Sequence, residues 1–106
     1  MGKYLITASY TAEGAKGLLK DGGSKRRQAA EQAITSSGAK LEAFYFAFGD
    51  YDAFVIVDAP DHASVAAASV AINASGAVRT KTTVLLTPEE IDQATHKGVT
   101  YRAPGH

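Results

Sequence analysis

The first third of the chain changes from an alternating pattern of apolar side chains to a helical one. Residues 4–10 alternate with period two and are rich in β-forming side chains, which predicts a strand. Residues 12–37 follow a helical period, with Thr11 as the expected N-cap. Two adjacent glycines at 22–23 predict a break in this stretch, because each costs about 1 kcal/mol inside a helix. Past the break, one helix face carries Arg26, Ala29, Ala30, Ala33, Ile34 and Ser37.

Two further strands are predicted at residues 41–48 and 53–57. The segment Gly49–Asp52 between them has the composition of a tight turn, since Gly and Asp tolerate positive φ. A second main helix is expected to begin at Pro60–Asp61 and to end at Gly76, the usual residue after a helix C-terminus. These elements form the middle of the fold.

The last predicted strand covers residues 77–86. Thr87–Glu90 then resembles a helix start, with a Thr N-cap, Pro at the first helical position and Glu three residues after the cap. The order β-α-β-β-α-β plus a C-terminal helix is typical of a ferredoxin-like α+β fold with an antiparallel sheet. We expect one such domain over residues 1–106, with a core at about 3–91 and a C-terminal helix and tail at 88–106.

Both faces of the predicted sheet are apolar. One face carries Phe44, Phe46, Phe48, Val55 and Val57, and the other carries Ala43, Tyr45, Ala47, Phe54 and Ile56. Two short Ala-rich helices can cover only one face, whereas an antiparallel sheet in a lone monomer usually exposes a polar one. We therefore expect a homodimer or higher homo-oligomer that covers the second face, whichever of the two it is. The alternative is that the C-terminal helix and tail fold across it.

Charge and composition narrow the classes of partner. Lys and Arg total 11 and Asp and Glu total 11 in 106 residues, so no net charge favours nucleic acid or an anionic membrane. The chain has no cysteine, which excludes disulfides, thiolate metal sites and a cysteine nucleophile. It has no apolar signal segment and no apolar run of about 20 residues. We expect a cytoplasmic protein that binds neither nucleic acid nor membrane.

The segment Phe44–Asp52, with sequence FYFAFGDYD, resembles the defining segment of the GYD domain family. Four flanking segments support the resemblance in the same order, namely Tyr10–Gly14, Arg26–Arg27, Ala59–Asp61 and Gly76–Thr80. The family is similar in architecture to dimeric α/β-barrel proteins, in which two ferredoxin-like sheets pack face to face. The resemblance therefore implies a dimeric α/β barrel and does not imply an activity.

Tyr51 and Asp52 are the candidate catalytic residues, as a phenol and a carboxylate at the mouth of a pocket. The structural interpretation, which we favour, is that Asp52 accepts backbone hydrogen bonds in the turn while Tyr51 packs on the sheet edge. Arg79 and Lys81 point to one face of the last strand, where a buried charge needs a partner. That partner could be Glu42, a carboxylate of a second subunit or an anionic ligand.

The three histidines have no spacing typical of a metal site, so we expect no metal and no cofactor. The favoured function is a small-molecule-binding module whose cleft lies between sheet and helices. Its candidate ligand-binding residues are Tyr10, Tyr45, Phe46 and Arg79. The alternatives are a cofactor-free enzyme, resembling a monooxygenase or isomerase, that acts on a small aromatic or carbonyl compound, and a structural or regulatory oligomer without a ligand.

Overall fold

A computed structural model describes residues 2–106 and confirms the order of elements that the sequence predicts. The four strands form one antiparallel sheet in the order β2-β3-β1-β4, the arrangement of a ferredoxin-like α+β fold. The elements are β1 Gly2–Tyr10, α1 Ala12–Asp21, α2 Gly23–Ser36, β2 Lys40–Phe46, β3 Ala53–Ala59, α3 His62–Ala74, β4 Val78–Leu85 and α4 Pro88–Thr95.

The predicted break between the first two helices is confirmed at Gly22. Its φ of +80° lies in the left-handed region that glycine adopts without strain. The backbone N–H of Gly22 donates to the carbonyl of Leu18 at 2.8 Å, and α2 begins at the next residue. The break separates a short first helix from α2, which packs on the sheet.

The core lies between the sheet and helices α2 and α3. Its buried apolar residues include Tyr4, Ile6, Ile34, Leu41, Val55, Val57 and Val65. Asp61 caps α3, and its bond from the Ser64 backbone N–H lowers the pKa of its carboxyl below the ordinary value. The Tyr4 hydroxyl lies 2.6 Å from Nδ1 of His62 in the first turn of α3, which ties this helix to the first strand.

A β-bulge at Glu42 shifts the register of β2 against β3. Leu41 pairs with Val57, whereas Ala43 already pairs with Ile56. Strict alternation from Phe44 would place Leu41 on the face away from the helices, but the extra residue returns it to the helix side, where it is buried. The alternation of side chains along this part of the sequence does not predict the bulge.

The edge strand β4 is partly covered by α3. The side-chain carbonyl of Asn73 accepts a hydrogen bond from the backbone N–H of Thr80 at 3.1 Å. Its amide group donates to the Thr80 hydroxyl at 2.8 Å. One residue of the edge strand is therefore hydrogen-bonded to a helix side chain on the side that faces away from β1.

Within residues 2–106, no helix packs on the second face of the sheet, which we call the open face. It carries the apolar residues Leu5, Ala43, Tyr45, Phe54, Ile56 and Leu85. Tyr45 is 71% exposed and Phe54 is 38% exposed. The sequence did not decide which of the two sheet faces needs a partner. In the structure the helices cover the face with Phe44, and the face with Tyr45 is exposed.

Residues 88–106, which we call the C-terminal arm, extend away from the body of the domain. Every one of them is exposed, including Ile91, Val99 and Tyr101. The radius of gyration is 16.9 Å, against about 13 Å for a compact domain of this size. The alternative that the arm folds across its own sheet is therefore wrong. No helix within residues 2–106 is long and apolar enough to cross a membrane.

Candidate functional site

An apolar cleft lies between α2 and the sheet. Its inner lobe has a volume of about 230 Å³. Apolar side chains of the helices and of all four strands line most of it, and Tyr10 and Arg26 are among its few polar residues. This is less than the roughly 300 Å³ at the lower end of ligand sites. A cavity of about 150 Å³ nevertheless admits benzene, so the inner lobe can hold one substituted ring.

The inner lobe exists because small side chains face each other across it. Helix α2 presents Ala29, Ala30 and Ala33, while the sheet presents Ala8 and Ala53. A helix packed on a sheet normally fills this space with Leu, Ile or Phe, and protein interiors have few voids larger than a water molecule. The alanine-rich helix face therefore leaves room for a ligand.

Tyr10 and Arg26 form the polar end of the cleft. Burial raises the pKa of the Tyr10 phenol, the neighbouring Arg26 guanidinium opposes this rise, and the Asp52 carboxylate adds to it. Tyr10 is therefore a protonated donor at neutral pH. Arg26 is half-buried and makes no ion pair with a carboxylate of residues 2–106. The cleft thus combines an apolar body with two hydrogen-bond donors, one of them cationic.

A second lobe of about 450 Å³ lies on the other side of Tyr10. Leu18 of α1, the aromatic residues Phe46 and Phe48, and Asp52 line it. Phe46 packs edge-on against Phe44 with ring centroids 5.1 Å apart, and Phe48 is fully exposed at the rim. Tyr10 lines both lobes and lies between them.

Asp52 ties the loop between β2 and β3 to the end of β1. Its Oδ2 accepts a hydrogen bond from the backbone N–H of Tyr10 at 2.8 Å, and its own N–H donates to the carbonyl of Ala8 at 2.8 Å. Its carbonyl accepts from the N–H of Ala47 at 2.9 Å, which closes the loop. The carboxylate accepts a backbone hydrogen bond as in the structural interpretation, although the donor lies on a neighbouring strand and not in the turn.

Replacing Asp52 by Ala is expected to lower the free energy of unfolding by about 2 kcal/mol, because a hydrogen bond to a charged acceptor is lost and a backbone donor is left unpaired. Asp52→Asn keeps an acceptor oxygen and should lose roughly half as much. Chemical denaturation at one fixed protein concentration measures both values. Equal stability of Asp52→Ala and the wild type would contradict the anchoring role.

Tyr51 points away from Asp52, so the candidate acid–base pair does not share a pocket. The Tyr51 ring packs edge-on against Phe54 at a centroid distance of 5.9 Å, and Nζ of Lys81 lies 5.8 Å from its centre. Asp52 lines the outer lobe beside Tyr10, on the other side of the sheet. This arrangement agrees with a packing role for Tyr51.

The four candidate ligand-binding residues are divided between the two faces of the sheet. Tyr10 and Phe46 line the cleft on the helix side. Tyr45 pairs with Phe54 and Arg79 pairs with Ser9, and all four of these residues belong to the open face. Neither Tyr45 nor Arg79 can therefore touch a ligand held between sheet and helices of the same copy. Arg26, which is absent from the predicted site, takes the place expected for Arg79.

Arg79 and Lys81 lie in an open basin of about 660 Å³ on the second face, which we call the basic basin. The hydroxyl-bearing residues Thr7 and Ser9 lie opposite them on β1, and Asp50 and Tyr51 form its rim. Both cations are exposed, so the expectation that this face buries their charge is wrong, and neither makes an ion pair within residues 2–106.

Glu42, one of the partners considered for these cations, is bonded instead to Lys3 at the opposite end of the sheet. The Glu42 carboxylate raises the pKa of the Lys3 ammonium above its ordinary value. Lys3 also lies 3.6 Å from the carboxylate of Asp58. The expectation that Glu42 neutralises Arg79 or Lys81 is therefore wrong. The β-bulge at Glu42 carries its side chain to the start of β1, where Lys3 competes for it.

Within residues 2–106, no three His, Asp or Glu side chains converge as a metal site would require. His62 is bonded to Tyr4, and Nδ1 of His96 lies 2.6 Å from the carbonyl of Asp92.

Comparison with known proteins finds a family profile that matches this chain. No curated protein matches the chain. The family profile of the GYD domain matches residues 4–95, which include all of β1 but its first two residues, the other three strands, the cleft and the basic basin. The match covers most of the 106 residues and agrees with the resemblance of the segment Phe44–Asp52. The chain belongs to the GYD domain family.

Proposed function

We propose that this protein is a homo-oligomeric module that binds a small apolar molecule bearing an anionic group. The observation that carries the proposal is the position of Arg26, a half-buried cation without a carboxylate partner at the polar end of an apolar cleft. A partly buried charge is costly unless something compensates it. A carboxylate on the ligand would supply this compensation.

The size and lining of the inner lobe favour an aromatic or compact aliphatic body. A single ring fits a volume of about 230 Å³ and would contact Ile6, Phe44 and Val55. The carboxylate would then lie between the Arg26 guanidinium and the Tyr10 hydroxyl, both of which donate hydrogen bonds.

The assembly part of the proposal rests on the open face. An apolar surface that includes Tyr45, Phe54 and Ile56 is unusual for a monomeric sheet, and the chain's own arm does not cover it. A second copy offers the same surface in a closed two-fold arrangement. The cleft lies on the other side of the sheet, so each copy keeps its ligand site accessible.

Binding of benzoate and benzamide tests the ligand proposal, because the two differ in charge and hardly in shape. We expect benzoate to bind at least ten times more tightly than benzamide. We also expect Arg26→Gln to remove that preference. Tyr10→Phe should weaken benzoate binding a few-fold. Isothermal titration or NMR line shifts at millimolar ligand measure these affinities.

Arg27→Gln is the matched control, since Arg27 is the next residue of α2, is exposed and is paired with Glu31 at 3.3 Å. It should bind benzoate as the wild type does. Equal affinity of Arg26→Gln and Arg27→Gln for benzoate, or equal binding of benzoate and benzamide by the wild type, would contradict the proposal. Absence of any binding with an intact dimer would favour a purely structural oligomer.

A further inference from the structure

We infer that the C-terminal arm of each copy packs on the partner copy, where Glu89 and Asp92 neutralise Arg79 and Lys81 in the basic basin. This inference rests on the homo-oligomer proposed above. In this arrangement the two cations gain carboxylate partners, and the exposed arm gains a surface on which to pack. The basin is then completed only by a residue pair of the second subunit.

The charges of the two surfaces are complementary. The basic basin holds Arg79 and Lys81, which alternate on β4 and have no ion pair within residues 2–106. Helix α4 carries three acidic residues and no basic one. Glu90 is occupied by the capping box, in which its side chain accepts from the Thr87 N–H. Glu89 and Asp92 are three residues apart and therefore lie on one helix face with free carboxylates.

The arm does not bring these charges together within one copy. Arg79 lies near the start of β4 and α4 follows its end, so about six residues of strand, roughly 20 Å, separate the basin from the start of the arm. This exceeds the screening length of about 8 Å at physiological salt. All residues of the arm are exposed, and the molecule is 57 Å long as a result.

A two-fold pairing of the open faces removes this separation. If the strands of the two sheets run in opposite directions, the end of the partner's β4 lies over the start of this copy's β4. The partner's arm then begins beside Arg79 and Lys81 instead of 20 Å away. The two-fold symmetry gives both copies the same contact.

The size of the open face also indicates a contribution from the arm. Four strands of about eight residues cover roughly 500 Å². A stable interface usually buries about 800 Å² on each partner. The arm adds further surface, including Ile91, Val99 and Tyr101, which are 45%, 81% and 76% exposed. α4 is held as a helix by its capping box and is therefore preorganised for this contact.

Charge reversal tests the inference. We expect the double variants Arg79→Glu/Lys81→Glu and Glu89→Lys/Asp92→Lys each to raise the dimer dissociation constant about tenfold or more at low salt. An equimolar mixture of the two variants should dimerise as the wild type does, because each interface then joins opposite charges. Sedimentation velocity across micromolar concentrations measures all three, and circular dichroism verifies that each variant is folded. Lys16→Glu/Lys20→Glu on α1 is the control and should dimerise normally.

The outcomes separate the alternatives. Rescue by the mixture supports an exchanged arm, because an arm that folded onto its own basin would be restored only when all four changes are in one chain. A normal dimer of Glu89→Lys/Asp92→Lys overturns the inference. If inorganic phosphate binds the wild-type dimer and not Arg79→Glu/Lys81→Glu, the basin is open to a free anion in the dimer, which overturns the inference. A monomeric wild type overturns the proposed assembly itself, whereas a wild-type dimer insensitive to these charges overturns only the role of the arm.

Discussion

Replacing Gly14 by Ala is expected to lower the free energy of unfolding by about 3 kcal/mol, although alanine is the better helix former. A Cβ at this position would lie 2.0 Å from the backbone oxygen of Ala77 and 3.1 Å from the Tyr10 ring. The Ala77 carbonyl cannot move freely, because it accepts hydrogen bonds from both the N–H and the hydroxyl of Thr11 at 3.0 and 3.2 Å. Overpacking against fixed backbone typically costs about 1–3 kcal/mol, and this contact belongs at the upper end.

Gly17→Ala is the matched control for this prediction. Gly17 lies in the same helix, and a Cβ there meets nothing within 4 Å. The substitution should stabilise the protein by up to about 1 kcal/mol, because Gly is the less favourable residue in a helix interior. Urea denaturation at one protein concentration measures both, since the proposed dimerisation would make apparent stability depend on concentration. Similar values for Gly14→Ala and Gly17→Ala would show that α1 is not held against the start of β4.

Replacing Phe54 by Asp is expected to raise the dimer dissociation constant about 100-fold or more. Phe54 lies on the open face beside Tyr51 and Tyr45, on a central strand of the sheet. In a two-fold dimer the substitution removes two aromatic contacts and places two carboxylates in an apolar interface. A loss of about 1.5 kcal/mol at each site is typical of an aromatic interface residue and gives this factor.

The folded monomer should tolerate the change, since Phe54 is already 38% exposed. Leu19→Asp provides the comparison, because Leu19 is 87% exposed on α1 and away from the open face. It should leave the dissociation constant unchanged. Light scattering between one and one hundred micromolar separates monomer from dimer. A Phe54→Asp dimer as stable as the wild type would place the interface elsewhere.

Local patterns were sufficient to predict the order of elements and the cap residues, whereas the tight turn predicted at Gly49–Asp52 is a wider loop over residues 47–52 without positive φ. Gly22, Asp61 and the segment Thr87–Glu90 act through neighbours in sequence, and each does in the structure what its residue type indicates. The match of these local preferences with the global fold is typical of natural sequences. The apolar character of both sheet faces was likewise visible, because side chains alternate with period two along each strand.

The positions of several site residues depend on the register between paired strands, which the pattern along a single strand does not determine. Arg79 is opposite Ser9 and not Tyr10, and this single offset places it on the open face instead of in the cleft. The bulge at Glu42 moves Leu41 into the core and its own carboxylate to Lys3. Neither follows from spacing along one strand. Arg26 was on an apolar helix face in the sequence, and that position was the available signal for its role in the cleft.

The hydrogen bonds between Asn73 and Thr80 bear on how this protein avoids aggregation. An edge strand with free N–H and C=O groups is a template for strands of other chains. On β4 the amide of Asn73 occupies this position at Thr80, and on β2, the other edge, the bulge at Glu42 interrupts the regular ladder. Extension of the sheet by strand addition is therefore opposed at both edges. In the dimer proposed above, two copies would therefore meet through a face without joining edge to edge into a growing fibril.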